Sequence, residues 1–132
     1  LRTGGRRLAR RGFFYAPTVL THVAPGMAAF DEETFGPVAA VARVTGVEEA
    51  LALANSSAFG LGATVCTSDL AAAEQAAAAL ETGCVFVNAM VQSDPRMPFG
   101  GTKASGYGRE LSELGIREFT NIKSVWMERG IS

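Results

Sequence analysis

Two segments of the chain set charged and aromatic side chains inside glycine and proline punctuation. They are Glu32-Glu33-Thr34-Phe35-Gly36-Pro37-Val38 and, further on, Pro98-Phe99-Gly100-Gly101-Thr102-Lys103-Ala104-Ser105-Gly106-Tyr107-Gly108-Arg109-Glu110. Glycine supplies positive φ or close backbone approach, and proline locks φ. Such a pattern holds a functional group on a loop of fixed shape.

The other reactive residue types carry less. Cys66 and Cys84 lie in apolar, β-prone runs, Ala63-Thr64-Val65-Cys66 and Cys84-Val85-Phe86-Val87. Two cysteines within strands read as buried thiols of a cytosolic protein rather than as a disulfide. No His, Lys or Arg flanks either one in sequence to lower a thiol pKa, so neither is expected to be a nucleophile. His22 is the only histidine, which argues against a zinc site and excludes a Ser-His-Asp set built on any other imidazole. Gly106-Tyr107-Gly108 begins like a dinucleotide fingerprint, but Leu111 stands where the third glycine belongs, and Gly100-Gly101-Thr102-Lys103 lacks the spacing of a P-loop.

Composition sets the frame. The chain has 132 residues, 48% of them hydrophobic and 19% charged, with a formal net charge of −1. That is one domain's worth, with no domain boundary or linker in view. Arg6, Arg7, Arg10 and Arg11 cluster near the start, and read as a solvated turn between strands rather than a nucleic-acid surface. No apolar run approaches the ~20 residues that cross a bilayer. The first residue is Leu1 and no signal-peptide pattern is present, which suggests a fragment, a processed chain or a trimmed one.

Strands and helices alternate along the chain. Phe13 to Leu20 reads as a strand interrupted by Pro17, Met27 to Glu33 as a short helix or turn, and Val38 to Val44 as a buried strand. Thr45-Gly46-Val47-Glu48 matches a capping box that opens a helix with Val47, Ala50, Leu51 and Ala54 inward. Phe59 to Gly62 reads as a turn and Ala63 to Thr67 as a strand. Ser68 or Asp69 caps an alanine-rich helix over Leu70 to Glu81, and Cys84 to Val87 is an apolar strand. Asn88 to Gly108 reads as one long loop, a feature usually functional in a compact domain. A helix over Glu110 to Thr120 broken at Gly115, and a last strand through Ile122, Val125 and Trp126, complete the order. The expectation is a three-layer α/β sandwich with a largely parallel sheet, ligands lying beyond the carboxyl ends of its strands.

The quoted segments, with Gly12-Phe13-Phe14-Tyr15-Ala16-Pro17-Thr18-Val19-Leu20, Asn55 through Gly62 and Gly115-Ile116-Arg117-Glu118-Phe119-Thr120, resemble the C-terminal part of an aldehyde dehydrogenase. The resemblance spans essentially the whole chain and only the last quarter to third of a family member. The run Phe86-Val87-Asn88-Ala89-Met90-Val91-Gln92-Ser93-Asp94-Pro95-Arg96-Met97-Pro98-Phe99 is most similar to bacterial NADP-type succinate-semialdehyde dehydrogenases.

The resemblance implies roles. Glu33 would accept hydrogen bonds from the nicotinamide-ribose hydroxyls of NADP or NAD, an ionised carboxylate being able to take two donors at once. Phe35 would pack at the nicotinamide end. Ser93 would donate to a substrate carboxylate, and Phe99 would line the aldehyde pocket. Each has a plainer reading: Glu33 as a helix-end charge, Ser93 as a loop cap, Phe35 and Phe99 as core aromatics. Gly100, Gly101 and Gly106 read as loop geometry, and Arg109 and Glu110 as internal braces.

The family's nucleophilic cysteine, general-base glutamate, oxyanion asparagine and Rossmann domain all precede the part that Leu1 opens. The expectation is therefore a partial catalytic domain over residues 1–120, without catalytic residues of its own, and an oligomerisation strand and tail over residues 121–132. The partners expected are a small aldehyde and further copies of the chain, with no nucleic acid and no membrane, in the cytoplasm. The alternative is a stand-alone interaction module that self-associates through its last strand.

Overall fold

The computed structural model describes residues 1–130. The chain divides into two compact units, Leu1–Ala58 and Phe59–Ser132.

The first unit opens with an antiparallel excursion. Arg7 bridges Tyr15 and Thr3 bridges Val19, and Gly12 turns the chain at φ 110°. Pro17, which has no N–H to give a ladder, delays the strand that the aromatic run suggested from Phe13. The strand β1 is Thr18–Thr21. It pairs in parallel with β2, Val38–Val41, in the register Thr18 to Val38 through Thr21 to Val41. Thr18 is buried, and its hydroxyl is satisfied on both sides: it donates to the Ala16 carbonyl at 2.8 Å and accepts from the Gly5 N–H at 2.8 Å. Between the strands lies one turn of helix, α1, Ala28–Asp31.

The helix α2, Val47–Asn55, starts one residue later than the sequence suggests. Its N-cap is Gly46, not Thr45, and Glu49 rather than Glu48 reaches back. One Glu49 carboxylate oxygen accepts from both the Thr45 N–H and the Thr45 hydroxyl at 2.7 Å. Those two bonds hold the Glu49 carboxyl below its ordinary pKa. The motif survives, shifted, because glycine is also an acceptable N-cap and leaves Glu49 at the third helical position. Val47 and Ala54 of the expected inward face are exposed, and Ala50 and Leu51 are half-buried.

The second unit contains a β–α–β crossover. Strand β4, Gly62–Val65, runs parallel to β5, Cys84–Val87, and the helix α3, Leu70–Ala79, connects them. The Asp69 carboxylate caps α3 by accepting from the Ala72 N–H at 3.1 Å, as its position before the alanine run implies. Ala73 and Ala76 are buried on one side of the helix. Small side chains let α3 lie close to its sheet. Gly83 shows a second close approach: a Cβ there would overlap the Gly100 carbonyl oxygen, so only glycine lets the long loop lie against the start of β5.

The expected turn at Phe59 is a short strand, β3, Phe59–Gly60. It is antiparallel to β6, Thr102–Lys103, which lies inside the expected loop. The helix α4, Ser112–Glu118, runs through Gly115 without a break. That glycine is buried, and a Cβ there would press on the Glu110 backbone, so the helix packs there only with glycine.

The class is α/β, but among the described residues the strands form three two-stranded sheets, two parallel and one antiparallel, rather than one largely parallel sheet. A parallel sheet covered on both faces is built from several neighbouring strands, and each strand of the two parallel pairs here has one strand partner among the described residues, β1 adding only the isolated Thr3–Val19 bridge. The last strand is also not formed: residues 121–130 carry no regular secondary structure. A strand needs a ladder partner, and no described segment supplies one. Ile122, Val125, Trp126 and Met127 are exposed, Trp126 at 91%.

Candidate functional site

The first unit carries Glu33 and Phe35 just beyond α1. Helix α1 ends at Asp31, where Glu32 turns extended while its N–H still donates to the Ala28 carbonyl. The chain then leads through Gly36 and Pro37 into β2. This geometry sets Glu32, Glu33, Thr34 and Phe35 on the wall of a cavity of about 440 Å³ together with Tyr15 and Thr18. Glu33 makes no hydrogen bond or ion pair with the described residues, so both carboxylate oxygens are available as acceptors. Phe35 is 92% exposed, so it is not a core aromatic of this chain. Two acceptor oxygens and an exposed phenyl ring thus share one cavity wall.

The second unit carries Ser93 and Phe99 on the segment that leaves β5. Asn88 launches it. Its backbone takes the left-handed conformation at φ 53°, which asparagine tolerates better than other side chains with a Cβ. Its side-chain amide grips the backbone of Thr67, accepting from the N–H at 3.0 Å and donating to the carbonyl at 2.8 Å. Downstream, Phe99 and Glu110 exchange two backbone hydrogen bonds of 2.8 Å, which close the glycine-rich segment into a ring. Arg109 staples that ring by donating to the Gly101 carbonyl at 2.9 Å and the Gly108 carbonyl at 2.6 Å. Arg109 and Glu110 are thus internal braces.

Phe99 lines a cavity of about 460 Å³ with Cys84, Phe86, Gln92 and Asp94. It also borders a second cavity of about 390 Å³ on the side of Tyr107 and Arg109. Ser93 is exposed and lies between two residues of the first cavity, Gln92 and Asp94, without lining it itself.

Asp94 and Arg96 form a pair to which the sequence reading assigned no role. Pro95 follows Asp94, and the Met97 N–H donates to the Asp94 carbonyl at 3.0 Å. An Asp-Pro start is a β-turn signature, and it was the signal available. Within the turn, Asp94 Oδ1 accepts from the Arg96 backbone N–H and from Arg96 Nε, both at 2.9 Å, while Oδ2 accepts from Arg96 Nη2 at 2.6 Å. These bonds hold the Asp94 carboxyl far below its ordinary range and raise the Arg96 guanidinium.

The Cys84 Sγ–H donates to the Leu61 carbonyl at 3.3 Å, and burial pushes its pKa up against a smaller opposing pull from Arg109. Cys66 is exposed, and no metal-holding group of three or more His, Cys, Asp or Glu is present among the described residues. No helix among them is long and apolar enough to cross a membrane.

The aldehyde dehydrogenase family model matches residues 1–125. The chain belongs to the aldehyde dehydrogenase family. Among aldehyde dehydrogenases it is 54% identical over 126 residues to the NAD(P)+ succinate semialdehyde dehydrogenase Sad of Escherichia coli K12, covering 96% of this chain and 27% of that protein. It is 50% identical over 127 residues to the NADP+ succinate-semialdehyde dehydrogenase 1 of Mycobacterium tuberculosis H37Rv, covering 96% of this chain and 28% of that protein. A solved aldehyde dehydrogenase, the succinic semialdehyde dehydrogenase of Streptococcus pyogenes in complex with NADP+, superposes with a TM-score of 0.89 at 40% identity, over 96% of this chain and 28% of that one. The chain therefore spans little more than a quarter of the length of these relatives.

Proposed function

We propose that this chain is the C-terminal portion of an NAD(P)-dependent aldehyde dehydrogenase that oxidises succinate semialdehyde to succinate. The observation that carries the reading is the identity of 54% to an NAD(P)+ succinate semialdehyde dehydrogenase across 96% of the chain. The order of the motifs, from the Glu33 loop to the glycine-rich segment, is that of the family's last portion.

In the full-length enzyme, Glu33 holds the two ribose hydroxyls next to the nicotinamide, and Phe35 supports the ring's pose. The cofactor, when bound, supplies the hydride acceptor. Phe99 forms an apolar wall for the aldehyde, and Ser93 donates a hydrogen bond to the carboxylate at its far end. The catalytic thiolate, the base that activates water and the oxyanion donors come from the rest of the enzyme. None of these 132 residues is assigned a catalytic step.

In the same reading, residues 1–120 belong to the catalytic domain. The full-length domain is a three-layer sandwich with a largely parallel sheet. Residues 121–130 supply the strand that reaches a neighbouring subunit in a homo-oligomer; the last two positions of the expected strand and tail, 131 and 132, lie outside the described residues. The exposed Ile122, Val125, Trp126 and Met127 support this, because unpaired backbone with apolar side chains is an edge that invites pairing. The two free cysteines agree with a cytoplasmic enzyme.

Substrate choice tests the reading. Ser93→Ala in the full-length enzyme is expected to lower kcat/KM for succinate semialdehyde by about ten- to a hundredfold more than for butanal, the cost of leaving a substrate carboxylate without a donor. Equal losses on both aldehydes would reduce Ser93 to a loop cap.

A further inference from the structure

The cavity beside Phe99 has a property that conflicts with an anionic substrate until its neighbour is considered. Asp94 is the one charged residue among the described residues that line it. A bare carboxylate on that wall, one residue from Ser93, would repel an aldehyde bearing its own carboxylate. The wall is not bare. Both Asp94 oxygens are taken by Arg96, in a bidentate ion pair with Nε and Nη2 and a further bond from the backbone N–H.

Burial does not explain Arg96, whose side chain is 87% exposed while that of Asp94 is 32% exposed. The turn also has other supports. The Arg96 N–H to Asp94 bond, the Met97 N–H to Asp94 carbonyl bond and the Ser112 N–H to Pro95 carbonyl bond at 3.0 Å all use the backbone of residues 95–97 or Ser112 as donor or acceptor. The guanidinium is an addition to a turn already held.

We propose that Arg96 is a specificity-determining residue whose guanidinium cancels the Asp94 charge on the wall of the Phe99 cavity and thereby admits an aldehyde with a distal carboxylate. This deepens the functional reading above and rests on it. Arg96 acts through Asp94 and does not itself touch the substrate; the part it plays is in positioning and charge balance. It differs from that of Ser93, which supplies a hydrogen bond to the substrate, whereas Arg96 removes a repulsion.

The full-length enzyme and its Arg96→Met, Arg96→Lys and Asp94→Asn/Arg96→Met variants, assayed with succinate semialdehyde and with butanal, provide the test. Met keeps the length of the side chain without its charge, and Lys keeps the charge without the fork. Arg96→Met is expected to raise KM for succinate semialdehyde about tenfold, with kcat and the butanal KM changed by less than about twofold. Arg96→Lys should stay within about threefold of the parent, and removing the Asp94 charge in the double variant should bring KM back to the same range. A rise in both KM values together, or a double variant no better than Arg96→Met, would overturn the proposal and leave Arg96 a loop brace. A parent enzyme that does not prefer succinate semialdehyde to butanal overturns the functional reading, and this inference with it. The two failures are thus distinct.

Discussion

Purified alone, the 132-residue chain is expected to reduce neither NAD nor NADP when mixed with succinate semialdehyde, even at high protein concentration. The reaction needs a thiolate to attack the aldehyde carbon and a base to direct water at the resulting thioester. Cys84 is held on the thiol side rather than activated as a thiolate. Its Sγ–H is committed to the Leu61 carbonyl, and burial favours the protonated form. Cys66 lies past the end of β4 at an exposed position, and no ion-paired or hydrogen-bonded base accompanies it among the described residues. The assay is the absorbance of reduced cofactor over hours. Turnover that disappears on Cys66→Ala or Cys84→Ala would show that the chain carries its own nucleophile, contrary to this account.

The second large effect falls on Glu33. In the full-length enzyme, Glu33→Gln is expected to lower kcat/KM by about ten- to a hundredfold, because one charge-assisted hydrogen bond contributes about 1.5–3 kcal/mol. Glutamine keeps the size but offers one acceptor oxygen where the carboxylate offers two. Stability should change little, since Glu33 bonds to no described residue and its loop is held by α1 and by Gly36 and Pro37. Equal kinetics for the variant and its parent, with either cofactor, would exclude a ribose contact.

Much of this was legible in the sequence, for reasons that differ by element. The alanine run of α3 with Asp69 before it, and the apolar Cys84–Val87, are local signals; the strand formed where expected, and the helix began at Leu70 as expected but ended at Ala79, two residues short of Glu81. The shifted cap of α2 illustrates a limit: Glu48 and Glu49 are adjacent, and the choice between them depends on which residue leaves the helix first. Strand β6 was invisible because Thr102-Lys103 has no apolar alternation of its own; it exists through its pairing with β3. Gly115 reads as a helix breaker in isolation but is a contact point in three dimensions. Ile122 to Trp126 has a strand's composition and no partner here, and a ladder is a property of two segments.

The candidate site divides in the same way. Glu33, Phe35 and Phe99 were picked out by resemblance, and each borders a cavity. Ser93 was picked out in the same way and lies beside a cavity rather than on its wall. The Asp94–Arg96 pair was missed because a carboxylate and a guanidinium two residues apart look like ordinary solvated charges until the turn folds them together. Asn88 was missed as a clamp because its partner, Thr67, lies across a helix in sequence.

The substrate of the full-length enzyme that carries this segment is open to a direct kinetic test. The most direct measurement is its kcat/KM for succinate semialdehyde against butanal, an uncharged aldehyde of equal chain length, with NAD and with NADP in turn. The account predicts a preference for the anionic aldehyde of about ten- to a hundredfold, as expected when a site bonds one end group and the competitor lacks it. An enzyme that oxidises butanal as well as or better than succinate semialdehyde with both cofactors would contradict it.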